Sequence, residues 1–227
     1  MALIKCENVS IGYEGQMVVH DLNFEINQGD YLCIVGENGS GKSTLSSIIS
    51  GVYPQSEGEL TLDGKPYKPA DTLDAQNHGI SMIAQEMGTL PGIKVADNLF
   101  IGKEQLFTKH GVVDRKKMYQ EARKALEKIG IDNIHPEDPI IKYSLEERKL
   151  IEVVRALYTN PRIFIVDETT TALSQRGRDI IYQVIKNMKK ENKTVLFISH
   201  DLEELMEVCS KLIVLRDGVF VAELEKS

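Results

Sequence analysis

Nine consecutive residues between an apolar run and a helical pattern have the composition of a phosphate-binding loop. They are Gly36, Glu37, Asn38, Gly39, Ser40, Gly41, Lys42, Ser43 and Thr44. Glycines let the backbone turn successive N–H groups toward an anion, and the following helix adds its positive N-terminal end. In such a loop Lys42 reaches the β- and γ-phosphates and the Ser43 hydroxyl ligates Mg²⁺. A glycine-rich turn that carries a lysine by chance is the alternative, but it does not require this spacing of glycine, lysine and serine.

Two adjacent carboxylates follow a second apolar run. Ile163 to Val166 has the composition of a buried strand, and it is followed by Asp167 and Glu168. Ligand sites of open α/β sheets lie at the carboxyl ends of the strands, so this pair is expected beside the phosphates. Asp167 is predicted to hold Mg²⁺ through its water shell, and Glu168 is predicted to act as the general base toward the attacking water. A strand that merely ends in acidic surface residues is the alternative.

Polar residues also end two other predicted strands. Gln85 follows the strand from Ile80 to Ala84, and its amide oxygen is a candidate ligand for Mg²⁺ and water. His200 follows the strand from Thr194 to Ile198, where it would contact the γ-phosphate and the water. Ser199-His200-Asp201 also suits a helix N-cap in which the histidine points to solvent.

The elements that must position these residues alternate between strand and helix patterns, which indicates an α/β sheet. Strands are predicted at Leu3–Val9, Val18–Ile26, Tyr31–Val35, Glu59–Leu62, Ile80–Ala84, Ile163–Val166, Thr194–Ile198, Leu212–Leu215 and Val219–Leu224. The first, second and fourth are expected to be antiparallel, and Asp217-Gly218 predicts a terminal hairpin. Helical periodicity over residues 94–158, strongest at Lys116–Ile129 and Glu146–Tyr158, predicts a helical subdomain inserted into the sheet. We therefore expect one domain over residues 1–227, with a helical subdomain at about residues 88–159.

Composition excludes several other classes of protein. The formal charge of −7 disfavours a general nucleic-acid surface, which needs a basic face. The cysteines, Cys6, Cys33 and Cys209, are far apart and lack metal-ligand spacing, so we expect small buried residues of a reduced cytosolic protein without a disulfide or zinc. No apolar stretch approaches the roughly 18 residues of a membrane span, and the N-terminus lacks a secretory apolar core.

The motifs, taken in order, resemble the ATP-binding cassette (ABC) family over the whole chain. The resemblance rests on the loop Gly36 to Thr44, Gln85, Asp167-Glu168 and His200. It implies a P-loop NTPase fold of α/β class, with a RecA-like, mainly parallel sheet and an N-terminal antiparallel β-subdomain. It also implies ATP and Mg²⁺ as ligands. Within this family, Tyr13 falls where an aromatic side chain stacks on adenine, and Val18 falls where a small apolar residue packs beside it; an ordinary loop aromatic is the alternative for Tyr13.

A finer resemblance is to the first cassette of bacterial monosaccharide importer ATPases. It rests on Gln85-Glu86, Val95 to Glu104, Val113 to Tyr119, Ser199 to Glu204 and Val214 to Gly218. It implies ATP hydrolysis that drives import at the cytoplasmic face of the membrane. The implied partners are a second cassette, an integral permease docked near Gln85 to Phe100 and, indirectly, a solute-binding protein, but no nucleic acid. Import of a nucleoside, autoinducer or metal, a non-hydrolysing regulatory module, and a soluble ABC protein remain alternatives.

One segment departs from the family pattern. Where cassettes carry Leu-Ser-Gly-Gly-Gln, this chain has Tyr143-Ser144-Leu145-Glu146-Glu147, which we call the signature-equivalent segment. Glu146 would bring a negative charge toward a nucleotide held by the opposite cassette, so this half-site is expected to be impaired and turnover of the isolated chain to be weak. The same residues also suit a helix cap, with both glutamates in the first turn. Smaller departures at Thr169 and at Thr171 to Ser174 concern communication between cassettes.

Overall fold

The computed structural model describes residues 2–13, 16–199 and 201–225, and for Tyr13, Gln16, Leu202 and Glu203 it describes the backbone alone. The strands are β1 (Ala2–Tyr13), β2 (Gln16–Asn27), β3 (Tyr31–Val35), β4 (Glu57–Leu62), β5 (Lys65–Pro66), β6 (Ile80–Ile83), β7 (Thr108–Lys109), β8 (Val112–Val113), β9 (Ile163–Asp167), β10 (Thr194–Ile198), β11 (Lys211–Arg216) and β12 (Val219–Glu225). The helices are α1 (Lys42–Ile49), α2 (Thr72–Asn77), α3 (Val95–Leu99), α4 (Arg115–Glu127), α5 (Leu145–Tyr158), α6 (Gln175–Lys190) and α7 (Leu202–Val208). Every strand predicted from the sequence is confirmed; β3 and β10 have the predicted bounds, and the others are shifted at one or both ends.

Two compact units make up the described chain. The first comprises Met1–Met82, Pro161–Glu168 and Ile185–Ser227, and the second comprises Ile83–Asn160 and Thr169–Val184. Among the described residues, no helix is both long enough and apolar enough to cross a membrane.

The first unit contains two sheets, and the predicted phosphate loop follows β3 of the larger one. A four-stranded sheet has the order β2-β1-β4-β5, and β1 pairs antiparallel with both β2 and β4, as predicted. A six-stranded sheet has the order β12-β11-β3-β10-β9-β6, in which β11, β3, β10 and β9 are parallel neighbours. The hairpin of β11 and β12 is confirmed, and it turns at Asp217 and Gly218, which both have positive φ angles of 49° and 75°.

The central strands of this sheet are buried on both faces. Every residue of β9 and β10 is buried, which explains their uninterrupted apolar sequences. Leu32, Ile34, Ile165, Leu196 and Ile198 join the core cluster of this unit. Because these strands are parallel, their carboxyl ends meet at one edge of the sheet, and that edge carries the candidate site.

The second unit has its own core, built on α3, α4 and α5. Phe100 lies at its centre, with ring centroids 4.6 Å from Phe107 and 4.8 Å from Tyr158. The side chain of Asp114 caps α4 by accepting a hydrogen bond from Lys117 N at 3.0 Å. The predicted helices at Lys116–Ile129 and Glu146–Tyr158 are confirmed as α4 and α5, each beginning one residue earlier.

The expectation of unpaired cysteines is wrong for Cys33 and Cys209. Their sulfur atoms are bonded, and their Cα atoms lie 5.6 Å apart, a separation typical of a disulfide. Because β11 pairs directly with β3, the turn that precedes β11 lies beside Cys33 although the two cysteines are separated by 176 residues in the sequence. Cys6 is a buried free thiol, as expected.

Candidate functional site

The phosphate loop leaves β3 and enters α1 through glycines whose conformations other residues would not tolerate. Gly39 and Gly41 have φ angles of 81° and 96°, in the left-handed region. A Cβ atom at Gly36 would overlap the Leu215 carbonyl oxygen, and one at Gly41 would overlap the side chain of Val19. The start of α1 has no side-chain cap and no acidic residue in its first turn. Its N–H groups therefore remain available for an anion.

Lys42 is folded across this loop. Its Nζ atom donates to the carbonyl oxygens of Gly36 and Glu37, both at 2.9 Å, and the residue is only 4% exposed. These bonds fix the ammonium group against the loop, so a positive charge is present where the anion would bind.

A buried carboxylate and two hydroxyl groups meet at the first turn of α1. Ser43 Oγ donates to Asp167 Oδ1 and Ser46 Oγ donates to Asp167 Oδ2, each at 3.1 Å. Burial raises the pKa of the Asp167 carboxyl above its ordinary value, and the charge of Glu168 raises it further. Hydrogen bonds from the two serines and the nearby charge of Lys42 act in the opposite direction.

This donor set suits Mg²⁺. Ser43 and Asp167 offer a hydroxyl and a carboxylate within hydrogen-bonding distance of one another, and Mg²⁺ prefers oxygen ligands. Mg²⁺ usually takes only one or two protein ligands and keeps the remaining positions for water and substrate phosphate. The pair therefore fits a Mg²⁺–nucleotide complex, and the predicted role of these residues in holding the metal stays a prediction.

Glu168 follows Asp167 in an unusual backbone conformation. Its φ angle is 44°, which is uncommon for a residue with a side chain, and its N–H donates to Ile198 O at 3.0 Å. That hydrogen bond to the end of β10 holds the turn in place. The side chain of Glu168 is half-buried. Conformations of this kind are concentrated at active sites.

The structure describes the other predicted site residues less completely. Val18 is half-buried against the core of the first unit, and Gly218 packs tightly on its carbonyl group. Gln85 has an exposed side chain in the second unit, just beyond β6. His200 and the side chain of Tyr13 lie outside the described residues, so their predicted roles stay predictions.

The signature-equivalent segment forms a complete helix cap at the start of α5. Ser144 and Glu147 make a reciprocal capping box, in which Ser144 Oγ accepts from Glu147 N and the Glu147 carboxylate accepts from Ser144 N. Glu146 turns away to the start of α6, where its Oε1 atom accepts from Ser174 N at 3.2 Å and from Ser174 Oγ at 2.5 Å. Both glutamates are thus bound within the second unit.

Sequence reasoning missed three features of the two units. Ser46, the second hydroxyl on Asp167, could have been found because it lies one turn after Ser43 on the same helix face. The contact of Glu146 with Ser174 spans 28 residues, and no local pattern announces it. The buried pair Lys149–Glu152, at 2.9 Å, occupies positions that normally favour a solvent-exposed ion pair.

Comparisons with known proteins agree on one family. The model of the ABC transporter family matches residues 19–171. A ribose import ATP-binding protein, RbsA, of Caldanaerobacter subterraneus subsp. tengcongensis is 36% identical over 227 residues, which cover 99% of this chain and 45% of that protein. RbsA of Shouchella clausii is also 36% identical, over 97% of this chain and 44% of that protein. The chain thus spans less than half the length of these relatives.

Solved structures agree on the fold. A nucleotide-free ATP-binding cassette from an ABC transporter superposes with a TM-score of 0.85 at 24% identity, covering 100% of this chain and 92% of that one. A cassette in a dimeric post-hydrolysis state bound to ADP and Pi superposes with a TM-score of 0.83 at 24% identity, over 98% of each chain. The fold predicted from the sequence, a P-loop NTPase of α/β class with an antiparallel β-subdomain, is confirmed.

Proposed function

The chain belongs to the ABC transporter family of ATP-binding domains, and from that premise we propose that it hydrolyses ATP to power import of a monosaccharide. The observation that carries the hydrolytic part is the joint placement of Lys42, Ser43 and Asp167 at the edge of the parallel sheet. Glu168 directly follows Asp167 in the sequence. Such a site needs little covalent chemistry from the protein, because phosphoryl transfer is catalysed by positioning and charge stabilisation.

ATP binds in this proposal with its phosphates on the loop between β3 and α1. The free N–H groups at the start of α1 and the ammonium group of Lys42 neutralise the β- and γ-phosphates. Tyr13 and Val18 are proposed to contact the adenine. Ser43 and Asp167 hold Mg²⁺, which neutralises charge on the phosphate oxygens.

Glu168 is the proposed general base. It accepts a proton from the attacking water, the water oxygen forms the new bond to the γ-phosphorus, and the bond to the ADP oxygen breaks. The positive φ angle of Glu168 supports this role, because uncommon backbone conformations of this kind are concentrated at active sites. Gln85 and His200 are proposed to orient the water and the γ-phosphate.

The second half of each ATP site is proposed to come from another cassette. In this family cassettes pair head to tail, so the nucleotide on this loop needs the signature segment of a partner. The relatives are about twice as long as this chain, which supports a second cassette as the partner. The chain's own signature-equivalent segment has its glutamates engaged at Ser144 and Ser174, and we propose that it completes the opposite site poorly.

Monosaccharide import is proposed from the relatives, which are named as ribose import proteins. An integral permease is the proposed membrane partner, and a solute-binding protein would deliver the sugar to it. The exposed apolar side chains of Met87 and Leu90, beside Gln85, support docking of the permease at Gln85 to Phe100. This arrangement would hold the chain at the cytoplasmic face of the membrane. Cassettes make little contact with the cargo, so a nucleoside, autoinducer or metal importer is an outcome that the uptake assay distinguishes.

Turnover as a function of chain concentration tests the hydrolytic proposal. We expect the isolated chain to bind ATP with weak turnover, and an added partner cassette with a normal signature segment to raise the rate. Glu168→Gln should retain ATP and lose turnover, with Glu86→Gln as the matched control. Strong turnover that rises with the square of the chain concentration would overturn the asymmetric arrangement, and unchanged turnover in Glu168→Gln would overturn the role of Glu168.

Uptake tests the transport proposal. In the native cell, Lys42→Met should abolish uptake of labelled ribose, and unlabelled monosaccharides should compete with ribose for uptake by the unaltered cell. Retained sugar uptake with loss of nucleoside or metal uptake would transfer the proposal to that cargo.

A further inference from the structure

The five residues that follow β6, Ala84 to Gly88, contain the predicted site residue Gln85 but no helix or strand. Polar backbone groups in such a segment lack the partners that a helix or strand would supply. Here the partners are side chains of α5. Lys149 Nζ donates to the carbonyl oxygens of Ala84, Gln85 and Glu86 at 3.0, 3.4 and 2.8 Å.

Two further side chains of α5 bind the end of the same segment. Glu152 Oε1 accepts from Gly88 N at 2.5 Å, and Arg155 donates to Gly88 O at 3.0 Å. Lys149, Glu152 and Arg155 are spaced by three residues and share one face of the helix. Gly88 suits this contact, because a Cβ atom there would lie only 3.0 Å from the Arg155 guanidinium.

Lys149 is a buried lysine whose ammonium group is surrounded by hydrogen-bond acceptors. It is 2% exposed, and its ammonium group also pairs with the 4% exposed carboxylate of Glu152 at 2.9 Å. An ammonium group has three protons to donate, and the three carbonyl groups and the carboxylate surround it with acceptors. A buried charge is tolerated only when it is paired and hydrogen-bonded in this way.

The arrangement fixes the main chain of Gln85 while its side chain stays exposed. The Gln85 carbonyl and the carbonyls on both sides of it are held by one ammonium group. An amide side chain on a fixed backbone loses less conformational freedom when it binds than one on a mobile loop.

We propose that Lys149 is a positioning residue for Gln85, which sets the backbone from which the Gln85 amide reaches the Mg²⁺–ATP complex. The inference rests on the proposed function, since it assumes that Gln85 acts on that complex. It makes α5 responsible for two parts of the ATPase: its first turn carries the signature-equivalent segment, and its next turn holds Gln85.

A double-mutant cycle in the 227-residue chain tests this proposal. Affinity for a fluorescent ATP analogue is measured with Mg²⁺ and with EDTA, in the parent chain, Gln85→Ala, Lys149→Gln and the double variant. Each single variant is expected to weaken Mg²⁺–ATP binding by about tenfold, the usual effect of losing a residue that orients a metal ligand. Binding in EDTA should be unchanged, and Lys149→Gln should have no further effect once Gln85 is alanine.

Matched lysine variants control the cycle. Lys149→Arg keeps the charge and the donors, so it should restore most of the Mg²⁺-dependent affinity. Lys142→Gln removes an exposed lysine that pairs with Asp138 at 2.7 Å, and it should change neither affinity. If Lys149→Gln does not fold, Glu152→Gln supplies the second variant, because it removes the charge that pairs with Lys149 and should weaken Mg²⁺–ATP binding in the same direction.

The outcomes separate the inference from the proposed function. A parent chain that does not bind Mg²⁺–ATP overturns the proposed function. If the parent binds Mg²⁺–ATP but Lys149→Gln weakens binding equally in Mg²⁺ and in EDTA, the positioning role is overturned and the proposed function stays intact. The same conclusion follows if the effect of Lys149→Gln on binding persists fully in the Gln85→Ala background. The same applies if Lys149→Arg fails to restore binding although it folds.

Discussion

The contact of Glu146 with the start of α6 makes a sharp prediction about Gly177. Gly177 is the third residue of α6, where alanine would normally favour the helix by about 1 kcal/mol. A Cβ atom at this position would lie 2.6 Å from Glu146 Oε1, which is held by Ser174 N and Ser174 Oγ. The glutamate can make room only by giving up those hydrogen bonds. We therefore expect Gly177→Ala to destabilise the parent chain and not a chain that lacks Glu146.

The magnitude follows from what each variant loses. Glu146→Ala removes hydrogen bonds from a half-exposed carboxylate to a helix start, which should cost about 1–2 kcal/mol. Gly177→Ala in the parent loses much of the same contact and gains the helix preference, a net cost of about 0.5–1 kcal/mol. In the Glu146→Ala background, Gly177→Ala still gains the helix preference of alanine, and only the close approach of its Cβ atom to Leu173 Cβ, at 3.1 Å, opposes that gain. The coupling energy between the two sites should be about 1–2 kcal/mol.

Urea denaturation of the four chains measures this coupling. The free energy of unfolding is obtained for the parent, each single variant and the double variant, with equal m-values as the check on two-state unfolding. Effects that add within about 0.5 kcal/mol would refute the contact, because independent sites behave that way. The signature-equivalent segment would then be free to meet a partner's nucleotide, and the argument for asymmetric ATP sites would lose its structural support.

Three further predictions concern the first unit. Burial raises the pKa of Asp167 in the folded chain, so the stability that its protonation contributes is present at low pH and lost as the pH rises through that pKa. The Tm of Asp167→Asn relative to the parent should therefore increase as the pH is raised above the ordinary carboxyl pKa of about 4, and a difference in Tm that does not change with pH would contradict this. Ser46→Ala should weaken Mg²⁺–ATP binding by about tenfold without changing binding in EDTA, whereas the exposed Ser56→Ala should change neither. Reduction of the Cys33–Cys209 bond should lower the free energy of unfolding by about 2–4 kcal/mol. In the Cys209→Ser chain the reductant should have no effect, and a loss of stability of equal size in that variant would show that the reductant acts at another site.

The parallel strands could be predicted from the sequence because their burial leaves a simple signature. Tyr31–Val35 and Thr194–Ile198 are short apolar runs, and both have the predicted bounds. The terminal hairpin could also be predicted, since Asp-Gly suits a turn with two positive φ angles. The two-residue strands β5, β7 and β8 could not be predicted, because periodicity cannot be detected over so few residues. β1 and β2 are longer than predicted, and their pairing contains several register irregularities that break strict alternation.

Some residues of the candidate site could likewise be predicted from the sequence, and others could not. The phosphate loop and Asp167-Glu168 could be found because local spacing determines their chemistry. The Cys33–Cys209 bond and the bonds of Lys149 to Ala84, Gln85 and Glu86 join residues far apart in the sequence. A lysine in a helix normally indicates a solvated face, so its burial depends on carbonyl groups that only the folded chain brings to it.

Calorimetric titration with Mg²⁺–ATP tests the central claim most directly, that the loop from Gly36 to Thr44 is a nucleotide site. The account predicts one ATP per chain, retained in Glu168→Gln and in the exposed control Lys142→Gln, and lost in Lys42→Met, which removes the ammonium group held over the loop. Equal binding by Lys42→Met and the parent chain would contradict it.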